Sequence, residues 1–560
     1  MSVTAALVAA VLVSVIVSLP PKRLTLTSLA SDGTVPGIIH VHSNRSDGRD
    51  SVDDIAQAAA RAGLKFVVFT DHGDGTRAPD PPVYRSGVLC FDAVEISTTE
   101  GHYLALDMPV APYPLNGEAR DVVEDVQRLG GFGVVAHPES PKPALAWQAW
   151  DAPYDGIEWV NPDTSWRVRL RGGWDSHLSL ATALVSYPFR PAEAIASLLG
   201  GTTLHAERWN ALARSRRLVL LAGADAHARL EIGNTDPQGN GRSLPIPGYE
   251  ATFRALSVRV TPDAALSGDA ASDGAALMRS LRHGHAHVVI DGLATAPSFR
   301  FTADTSAGTA YEGDTLPRNG PVTLHVESNA PPSFTTVIWQ DDSVLASSQG
   351  EPDLRRVVTA SGVYRVEISA PRNGGAVPWI VSNPIYVGVQ FPEPVPKAAP
   401  AVVESRPLLL EGSVAGWWTE SDPRSKTSIV SAPREGSTLG FRYELASGSS
   451  SGQYAALVAS IPKGSRYRRL AFSARSGRPM RISVQLRGAE ALGRWQRAVY
   501  LDENDRSYAI EFSDLTPVGF APGHRPEQRD LHDVLIVVDT MHARPGSSGQ
   551  IWLKTFALEQ

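Results

Sequence analysis

Histidine and carboxylate residues recur along the chain between His40 and His227, and most of them stand at the end of a short apolar run. Imidazole and carboxylate groups are the side chains that hold divalent first-row metal ions in water. Active sites of barrels lie where the carboxyl ends of the strands meet the loops, and nearly every candidate here falls at that kind of position. The nine candidate metal ligands are His40, His42, Asp47, His72, Glu95, His102, His137, Asp225 and His227.

The spacing of these residues supports a shared site. His40 and His42 stand two apart at the end of the predicted strand Ile38–Val41. A strand repeats every two residues, so both imidazoles are expected on one face. Asp225 and His227 repeat this spacing after a second apolar run. A single histidine at a strand end is more often structural, but the joint pattern favours a cluster that holds more than one ion.

Residues 36–297 alternate short apolar runs with helical patterns. Ser51 to Ala62 is a predicted helix, with Ser51 as its N-cap and two aspartates in its first turn. Apolar runs such as Phe66–Thr70 are predicted strands. This alternation favours a parallel sheet closed as a barrel.

The helical pattern largely disappears after residue 297. Residues 298–390 contain short alternating strands typical of an immunoglobulin-like β-sandwich, and the proline-rich stretch 391–403 predicts a stiff linker. Residues 404–560 predict a second β-sandwich that resembles the jelly-roll, galactose-binding-like modules attached to secreted enzymes, which makes glycan contact a possible role. Candidates for stacking on a sugar ring, with core packing as the alternative, are Trp417, Trp418 and Trp495.

Composition excludes several classes of site. The 560 residues predict three or four domains. A net charge of -7 argues against a nucleic-acid partner, which needs a basic surface. The single cysteine, Cys90, allows neither a disulfide within the chain nor a cysteine zinc site, and its apolar neighbours predict a small buried side chain.

The N-terminal stretch predicts export. Thr4 to Leu19 is an apolar run of about 16 residues, short for a membrane span but long enough for a signal sequence. Residues 1–30 are therefore expected to be a signal peptide, cut before Ser31, or a membrane anchor. The expected location is periplasmic or extracellular, with a possible membrane tether. The alternative is an ordinary apolar helix.

The motifs together resemble one known family. They read H-V-H-S-x-x-S-D-G from His40, T-D-H at Thr70, a glutamate before G-H-Y-L-A-L, A-H-P at Ala136 and D-A-H at Asp225. This set is similar to the PHP family, named after polymerase and histidinol phosphatase, and to its branch of CehA/McbA-type metallohydrolases. The resemblance covers residues 36–297 and implies a distorted (β/α)7 barrel with two or three divalent ions, zinc, manganese or iron.

The resemblance also implies how the ligands divide. His40, His42, Glu95 and Asp225 would hold one ion, and Glu95 would bridge it to a second ion held with His102 and His137. A third ion would be held by Asp47, His72 and His227. Asp47 stands where some relatives use histidine.

The expected nucleophile is a metal-bound hydroxide, since metals lower the pKa of bound water from 15.7 to about 7. Asp71 is expected to support it by orienting an imidazole, or else to be a turn residue. Arg45 is a candidate clamp for a phosphate oxygen, or else a solvated loop residue. Weaker candidates for that role are Arg77, Lys142 and Arg229. Glu158 and Asn161 either line the pocket or, as favoured here, are structural.

Three functions remain open at this point. The favoured one is a hydrolase of phosphoesters acting on a phosphorylated small molecule. The same centre would suit a hydrolase of amides, carbamates or other esters. The third is an exported binding protein whose barrel is vestigial.

Overall fold

The computed structural model describes most of the chain as two compact units. Unit 1 contains Met1–Gly73, Ala78–Pro109 and Glu118–Glu393, and unit 2 contains Asp74–Arg77, Val110–Gly117 and Pro394–Gln560. The described residues are 19–27, 33–200, 203–232, 242–372, 376–391, 404–432, 438–448, 452–462, 467–488, 493–518 and 531–560. Most of the predicted signal or anchor segment, its cleavage site and nearly all of the predicted linker 391–403 lie outside them.

The first part of unit 1 is built on short strands. None of the helices in the described residues has the length and apolar character needed to cross a lipid bilayer. The strands are Leu24–Thr25 (β1), Val35–Val41 (β2), Phe66–Phe69 (β3), Val83–Arg85 (β4), Val88–Asp92 (β5), Val94–Thr98 (β6), Gly101–Leu106 (β7), Phe132–Val135 (β8), Gly156–Val160 (β9), Val219–Ala226 (β10), Leu230–Ile232 (β11), Arg242–Leu244 (β12), Ser257–Val260 (β13) and Ala286–Val289 (β14).

The helices of unit 1 lie between these strands. They are Val52–Ala62 (α1), Ala119–Arg128 (α2), Pro162–Leu170 (α3), Trp174–Ser186 (α4), Pro191–Leu198 (α5), Thr203–Ala213 (α6), Tyr249–Phe253 (α7) and Ala270–His283 (α8). The predicted cap of α1 is confirmed, because the Ser51 side chain accepts a hydrogen bond from the Asp54 amide. The helical pair α3 and α4 was not predicted.

Apart from β1, β11 and β12, which belong to separate two-stranded sheets, these strands form part of a closed barrel of mixed direction. The neighbours β3, β2, β10, β9 and β8 run parallel. From β8 the ring continues through β7 and β6 in antiparallel pairs. A parallel bridge between His72 and Glu95 joins β6 to the segment that follows β3.

The predicted distorted (β/α)7 barrel is wrong. Strands account for 43% and helices for 17%, with eight helices described, and a barrel of seven β/α repeats is not evident. In the described residues no helix connects β3 to β5 or β8 to β9, and β13 pairs antiparallel with both β2 and β14. The physical reason is that an apolar run of four or five residues looks the same in a parallel and an antiparallel strand.

The second part of unit 1 is all β, as predicted for residues 298–390. One sheet has the order β17-β16-β19-β22, and β24 of the other pairs with β14 of the barrel. Both sheets bury one shared apolar core. The strands are Ala294–Thr295 (β15), Phe299–Thr305 (β16), Gly308–Tyr311 (β17), Thr315–Leu316 (β18), Val322–Ser328 (β19), Thr335–Gln340 (β20), Ser343–Gln349 (β21), Asp353–Val358 (β22), Gly362–Ala370 (β23), Val377–Ser382 (β24) and Ile385–Val387 (β25).

Unit 2 is a β-sandwich, as predicted for residues 404–560. Two six-stranded sheets enclose an apolar core, and a short 3₁₀ turn spans Phe512–Asp514. The strands are Ser405–Leu409 (β26), Trp417–Ser421 (β27), Lys426–Ser431 (β28), Leu439–Glu444 (β29), Tyr454–Ser460 (β30), Arg469–Ser476 (β31), Met480–Gly488 (β32), Arg494–Leu501 (β33), Arg506–Glu511 (β34), Thr516–Val518 (β35), Leu531–Asp539 (β36) and Ser548–Glu559 (β37).

Three side chains with predicted environments can be located. Core packing, the alternative to sugar stacking, is confirmed for Trp417 and Trp495, which are buried in the sandwich. Trp418 is partly exposed, and its indole nitrogen donates to Glu420. Cys90 is buried as predicted, and burial raises the pKa of its thiol to about 11. Glycan contact by unit 2 stays a prediction. Of the three tryptophans, only Trp418 is exposed enough to contact a sugar ring.

Candidate metal centre

All nine predicted ligands lie together at one end of the barrel. They form four overlapping groups, in each of which the potential ligand atoms lie within 4.8 Å of one another. Three of these groups resemble the predicted ligand sets of the three ions. The structure differs in two respects, because His42 also joins Asp47, His72 and His227, and His72 also lies beside Glu95. The groups are His40 with Glu95 and His137; His40 with His42 and Asp225; His72 with Glu95 and His102; and His42 with Asp47, His72 and His227.

Glu95 is the centre of the buried part of this cluster. Its Oε1 accepts from His102 Nδ1 at 2.7 Å and from His137 Nε2 at 3.0 Å. Its Oε2 lies 3.1 Å from His40 Nε2 and 3.0 Å from His42 Nε2. One carboxylate therefore contacts four imidazoles, which is the arrangement expected of a bridging ligand.

The outer part of the cluster is more open to solvent. Asp47 Oδ2 lies 3.2 Å from His227 Nε2 and 3.7 Å from His72 Nε2. Asp47 and His72 are exposed, whereas His42 behind them is fully buried. The rings of His42 and His227 stack with their centroids 4.1 Å apart.

Three of the nine residues hold a strained backbone. His40, His137 and Asp225 have φ angles of 62°, 27° and 46°, in the left-handed region that non-glycine residues rarely adopt. The register of β2 and β10 shifts where they pair around His40 and Asp225. Such residues cost about 1–3 kcal/mol each and persist where the surroundings hold them in place. The bulges, rather than a plain two-residue repeat, aim these side chains at the cluster.

Glu158 is the residue whose role sequence reasoning underestimated. Its Oε1 accepts from His40 Nδ1 at 2.5 Å, and its Oε2 accepts from the His137 amide at 2.7 Å and from Asn161 Nδ2 at 2.9 Å. A carboxylate that binds one ring nitrogen fixes the orientation of the other, so Glu158 points His40 Nε2 at the cluster. Gly223 makes room for it, since a Cβ there would lie 1.7 Å from Glu158 Oε1.

One sequence signal could have revealed this role. Glu158 is an acidic residue within the buried strand β9, where an unpaired charge would be costly. A charged residue among Gly156, Ile157, Trp159 and Val160 needs a buried partner, and His40 was an available one.

The electrostatics of the cluster show strong mutual dependence. Burial opposes protonation, but Glu158, Glu95 and Asp225 raise the pKa of His40 well above its usual value. Burial likewise opposes ionisation of Asp225, yet the neighbouring imidazoles, His40 first, hold its pKa below the usual range. Against burial, hydrogen bonds to Glu95 and Asp47 respectively raise the pKa of His137 and that of His227 to about 9. The carboxylates therefore stabilise positive charge within the cluster.

His42 shows that protons alone do not complete the cluster. Burial and the neighbouring His227 lower the pKa of His42, which favours the neutral ring. Within the described residues both ring nitrogens of His42 are buried without a well-oriented hydrogen bond, even though Glu95 Oε2 lies close to Nε2. Leaving two such nitrogens unsatisfied is costly. A divalent cation would satisfy the lone pair of one of them, and the nitrogen and oxygen donor set suits zinc, manganese or iron.

The two predicted supporting residues lie beside the cluster. The Asp71 carboxylate accepts from the Ser43 amide and hydroxyl and from the Ser46 hydroxyl, each at 2.7 Å. It therefore orders the loop that follows His42. Arg45 Nη2 donates to Asp80 Oδ2 at 2.5 Å, and its Nη1 lies 3.5 Å from Asp92.

A cavity of about 410 Å³ opens over the cluster. His40 and His42 lie beneath its floor, while the other seven predicted ligands line it. The basic side chains of Lys142, Arg167 and Arg229 also line it, and Arg167 is paired with Asp163 at 2.5 Å. Ligand cavities of this size accept small molecules.

Comparisons with known proteins leave the family open. No protein-family model and no curated protein matches the chain. Among solved structures, the family 11 carbohydrate-binding module of the cellulosomal cellulase Lic26A-Cel5E of Clostridium thermocellum is 19% identical, over 28% of this chain and 95% of that one, with a TM-score of 0.22. The module TmCBM61 in complex with β-1,4-galactotriose is 12% identical, over 26% and 90%, with a TM-score of 0.18. TM-scores this low do not establish a shared fold.

Proposed function

We propose that unit 1 binds two or three divalent metal ions and is a metal-dependent hydrolase of phosphoesters. The observation that carries the proposal is the convergence of six imidazoles and three carboxylates at one cavity, with seven of the nine in its lining and His40 and His42 beneath its floor. The motif resemblance to PHP-type metallohydrolases supports the chemistry, although the barrel is not built of seven β/α repeats.

The ligands divide by burial. His40, His42, Glu95 and Asp225 would hold the deepest ion, and Glu95 would share a second ion with His102 and His137. Asp47, His72 and His227 would hold an ion closest to solvent. When bound, such ions ionise a water near neutral pH and withdraw charge from substrate oxygens.

The acidic side chains beside the cluster position the metal ligands and do not take part in the reaction. Glu158 holds the His40 ring by its Nδ1 atom, which leaves Nε2 free to act as a ligand. Asp71 fixes Ser43 and Ser46, and with them the loop between His42 and Asp47.

The cavity wall favours an anionic substrate. Lys142, Arg167 and Arg229 place three positive charges around an opening whose floor holds the metal ligands. Lysine and arginine side chains bind phosphate oxygens through charge-assisted hydrogen bonds. A phosphate group offers such side chains more charged oxygens than a neutral amide or carbamate does, which is why the phosphoester is preferred over the other hydrolase.

The test joins metal analysis to a substrate screen on the full chain. We expect at least two bound ions per chain and hydrolysis of p-nitrophenyl phosphate or bis(p-nitrophenyl) phosphate in preference to p-nitrophenyl acetate and an anilide. His40→Ala should lose metal and turnover while the far-ultraviolet circular dichroism is unchanged. The matched control is His283→Ala, since His283 is an exposed histidine at the end of α8.

Three outcomes would contradict parts of the proposal. Normal turnover in His40→Ala would remove the assigned centre. Turnover of the ester or anilide alone would identify a hydrolase of esters or amides that uses the same metal site. A purified chain that binds no metal and hydrolyses nothing would favour a binding protein with a vestigial barrel.

A further inference from the structure

The helical pair between β9 and β10 exposes large apolar side chains. Trp174 is 80% exposed and Phe189 65% exposed. Scattered exposed apolar residues are normal, but a contiguous group marks an interaction surface. The exposed apolar residues here are Val168, Leu170, Trp174, Leu178, Leu184, Val185 and Phe189.

Helix α4 has its amphipathic pattern turned outward. Trp174, Leu178 and Val185 stand at positions i, i+4 and i+11, so they share one face, which Phe189 extends beyond the helix end. These four residues are the apolar stripe. The buried side chains of α4 are Ala183 and Ser186. A helix that only needed to pack on unit 1 would bury its large apolar residues instead.

The chain's N-terminal region is held beside this stripe. Arg190, the residue after Phe189, donates from Nη1 to the Pro20 carbonyl at 2.5 Å, and the Arg23 amide donates to Glu193 Oε1 at 3.3 Å. Residues Leu24–Thr25 then pair with Ala294–Thr295. Loss of the first 30 residues would remove all of these contacts, so the fold uses this segment.

An apolar run of the sequence therefore ends next to the apolar stripe. The run is Thr4 to Leu19, and all of it except Leu19 lies outside the described residues. Its about 16 residues fall short of the roughly 20 needed to span a bilayer. The basic residues Lys22 and Arg23 follow the run in the sequence and Arg190 follows the stripe, so each apolar segment has basic neighbours that suit anionic headgroups.

We propose that the apolar stripe is a membrane-docking surface, which rests in the interfacial region of a lipid bilayer. A bilayer accepts both the stripe and the apolar run of the sequence, and its anionic headgroups suit the basic residues that follow each of them. Interfacial binding of this kind depends on buried apolar area together with attraction to anionic lipid. The proposal is independent of the metal centre.

Flotation with vesicles tests it on the full chain. We expect the protein to float with phosphatidylcholine vesicles, and more strongly when they contain phosphatidylglycerol. The stripe variant, Trp174→Ser with Leu178→Ser and Val185→Ser, should lower partitioning by about tenfold or more. The matched control is Tyr311→Ser with Val344→Ser and Val357→Ser, which removes three exposed apolar side chains from the sandwich part of unit 1.

Two further measurements separate the stripe from the N-terminal run. A chain that begins at Leu19 should keep vesicle binding that the stripe variant removes. A polarity-sensitive dye on Leu178→Cys should shift to the blue on vesicles, whereas the same dye on Val357→Cys should not. Cys90 is buried and should stay unlabelled.

The overturning results are equally specific. Unchanged flotation of the stripe variant, or a dye at position 178 that vesicles leave unaffected, would exclude a bilayer as the partner. Complete loss of vesicle binding in the chain that begins at Leu19 would assign all membrane affinity to the run. A dimer that the stripe substitutions dissociate without any change in flotation would identify a second copy as the partner. A folded stripe variant is established by an unchanged melting temperature and far-ultraviolet circular dichroism.

Discussion

The centre of the barrel in unit 1 and the centre of the sandwich in unit 2 are both enclosed by β-strands, yet their interiors are opposite in character. Unit 2 buries an apolar core that includes Leu457, Ile482, Trp495 and Ile536. One end of the barrel instead encloses imidazoles and carboxylates, several of them fully buried. Burying apolar groups is favourable in itself, whereas burying charged groups requires partners.

The backbone reflects this difference. In unit 1 the residues His40, His137 and Asp225 adopt positive φ angles, whereas among the described residues of unit 2 every positive φ belongs to a glycine. Strain of this kind concentrates where a precise side-chain position matters more than stability. The contrast teaches that unit 1 gives up local stability at its cluster, and that unit 2 has no comparable region in its described part.

The largest expected effect is on the cluster itself. Asp225→Asn keeps a side chain that tolerates the left-handed backbone but removes a buried charge. We expect turnover to fall on the order of a thousandfold or more and metal content to fall with it, as measured by steady-state kinetics and elemental analysis. Asp304→Asn in the sandwich part is the matched control. Retained turnover in Asp225→Asn would show that the cluster does not act as proposed.

Metal removal should change the thermal stability of unit 1 and leave that of unit 2 unchanged. An ion whose dissociation constant is a thousandfold below the free metal concentration stabilises the folded state by about 4 kcal/mol. A chelator should therefore lower the melting transition of unit 1 and leave that of unit 2 in place, as followed by scanning calorimetry. Equal shifts of both transitions, or none, would remove the contrast between the interiors.

A substitution in the apolar core should give the reverse result. Ile536→Ala removes a fully buried side chain from unit 2 and should cost roughly 2–5 kcal/mol of stability. Denaturant unfolding measures this cost, and metal content should stay at the wild-type level. A loss of metal in this variant would mean that the two interiors are not independent.

The smallest expected effect concerns Glu158. Glu158→Gln weakens the hydrogen bond that orients His40, so we expect metal affinity to fall by about 10–100-fold, as measured by competition with a chelating dye. The matched control is Glu312→Gln, because Glu312 is another buried glutamate beside a histidine, His287, outside the cluster. Equal losses in both variants would indicate a general effect of a buried charge.

Much of the candidate site could be predicted from the sequence. Most of the ligands stand at the end of an apolar run, and the ends of neighbouring strands meet, so convergence of these residues could be foreseen. The helix that begins after Ser51 could also be predicted, because its cap and its acidic first turn are local signals. Metal binding and hydrolysis stay predictions.

Other features depend on pairing that the sequence does not encode locally. The antiparallel pairing of β13 with β2 is set by a partner far along the chain. The role of Glu158 depends on His40, which lies 118 positions away. Helix α4 was not predicted, and only the structure shows that its large apolar residues face outward.

The sequence by itself determined which residues could form the cluster and where the apolar and all-β regions lie, because ligand chemistry and short-range periodicity belong to the residues themselves. Only the tertiary structure decided the mixed direction of the barrel, the bulges at His40 and Asp225, and the outward face of α4. These depend on contacts between distant segments, and the free energy of such contacts outweighs local preference.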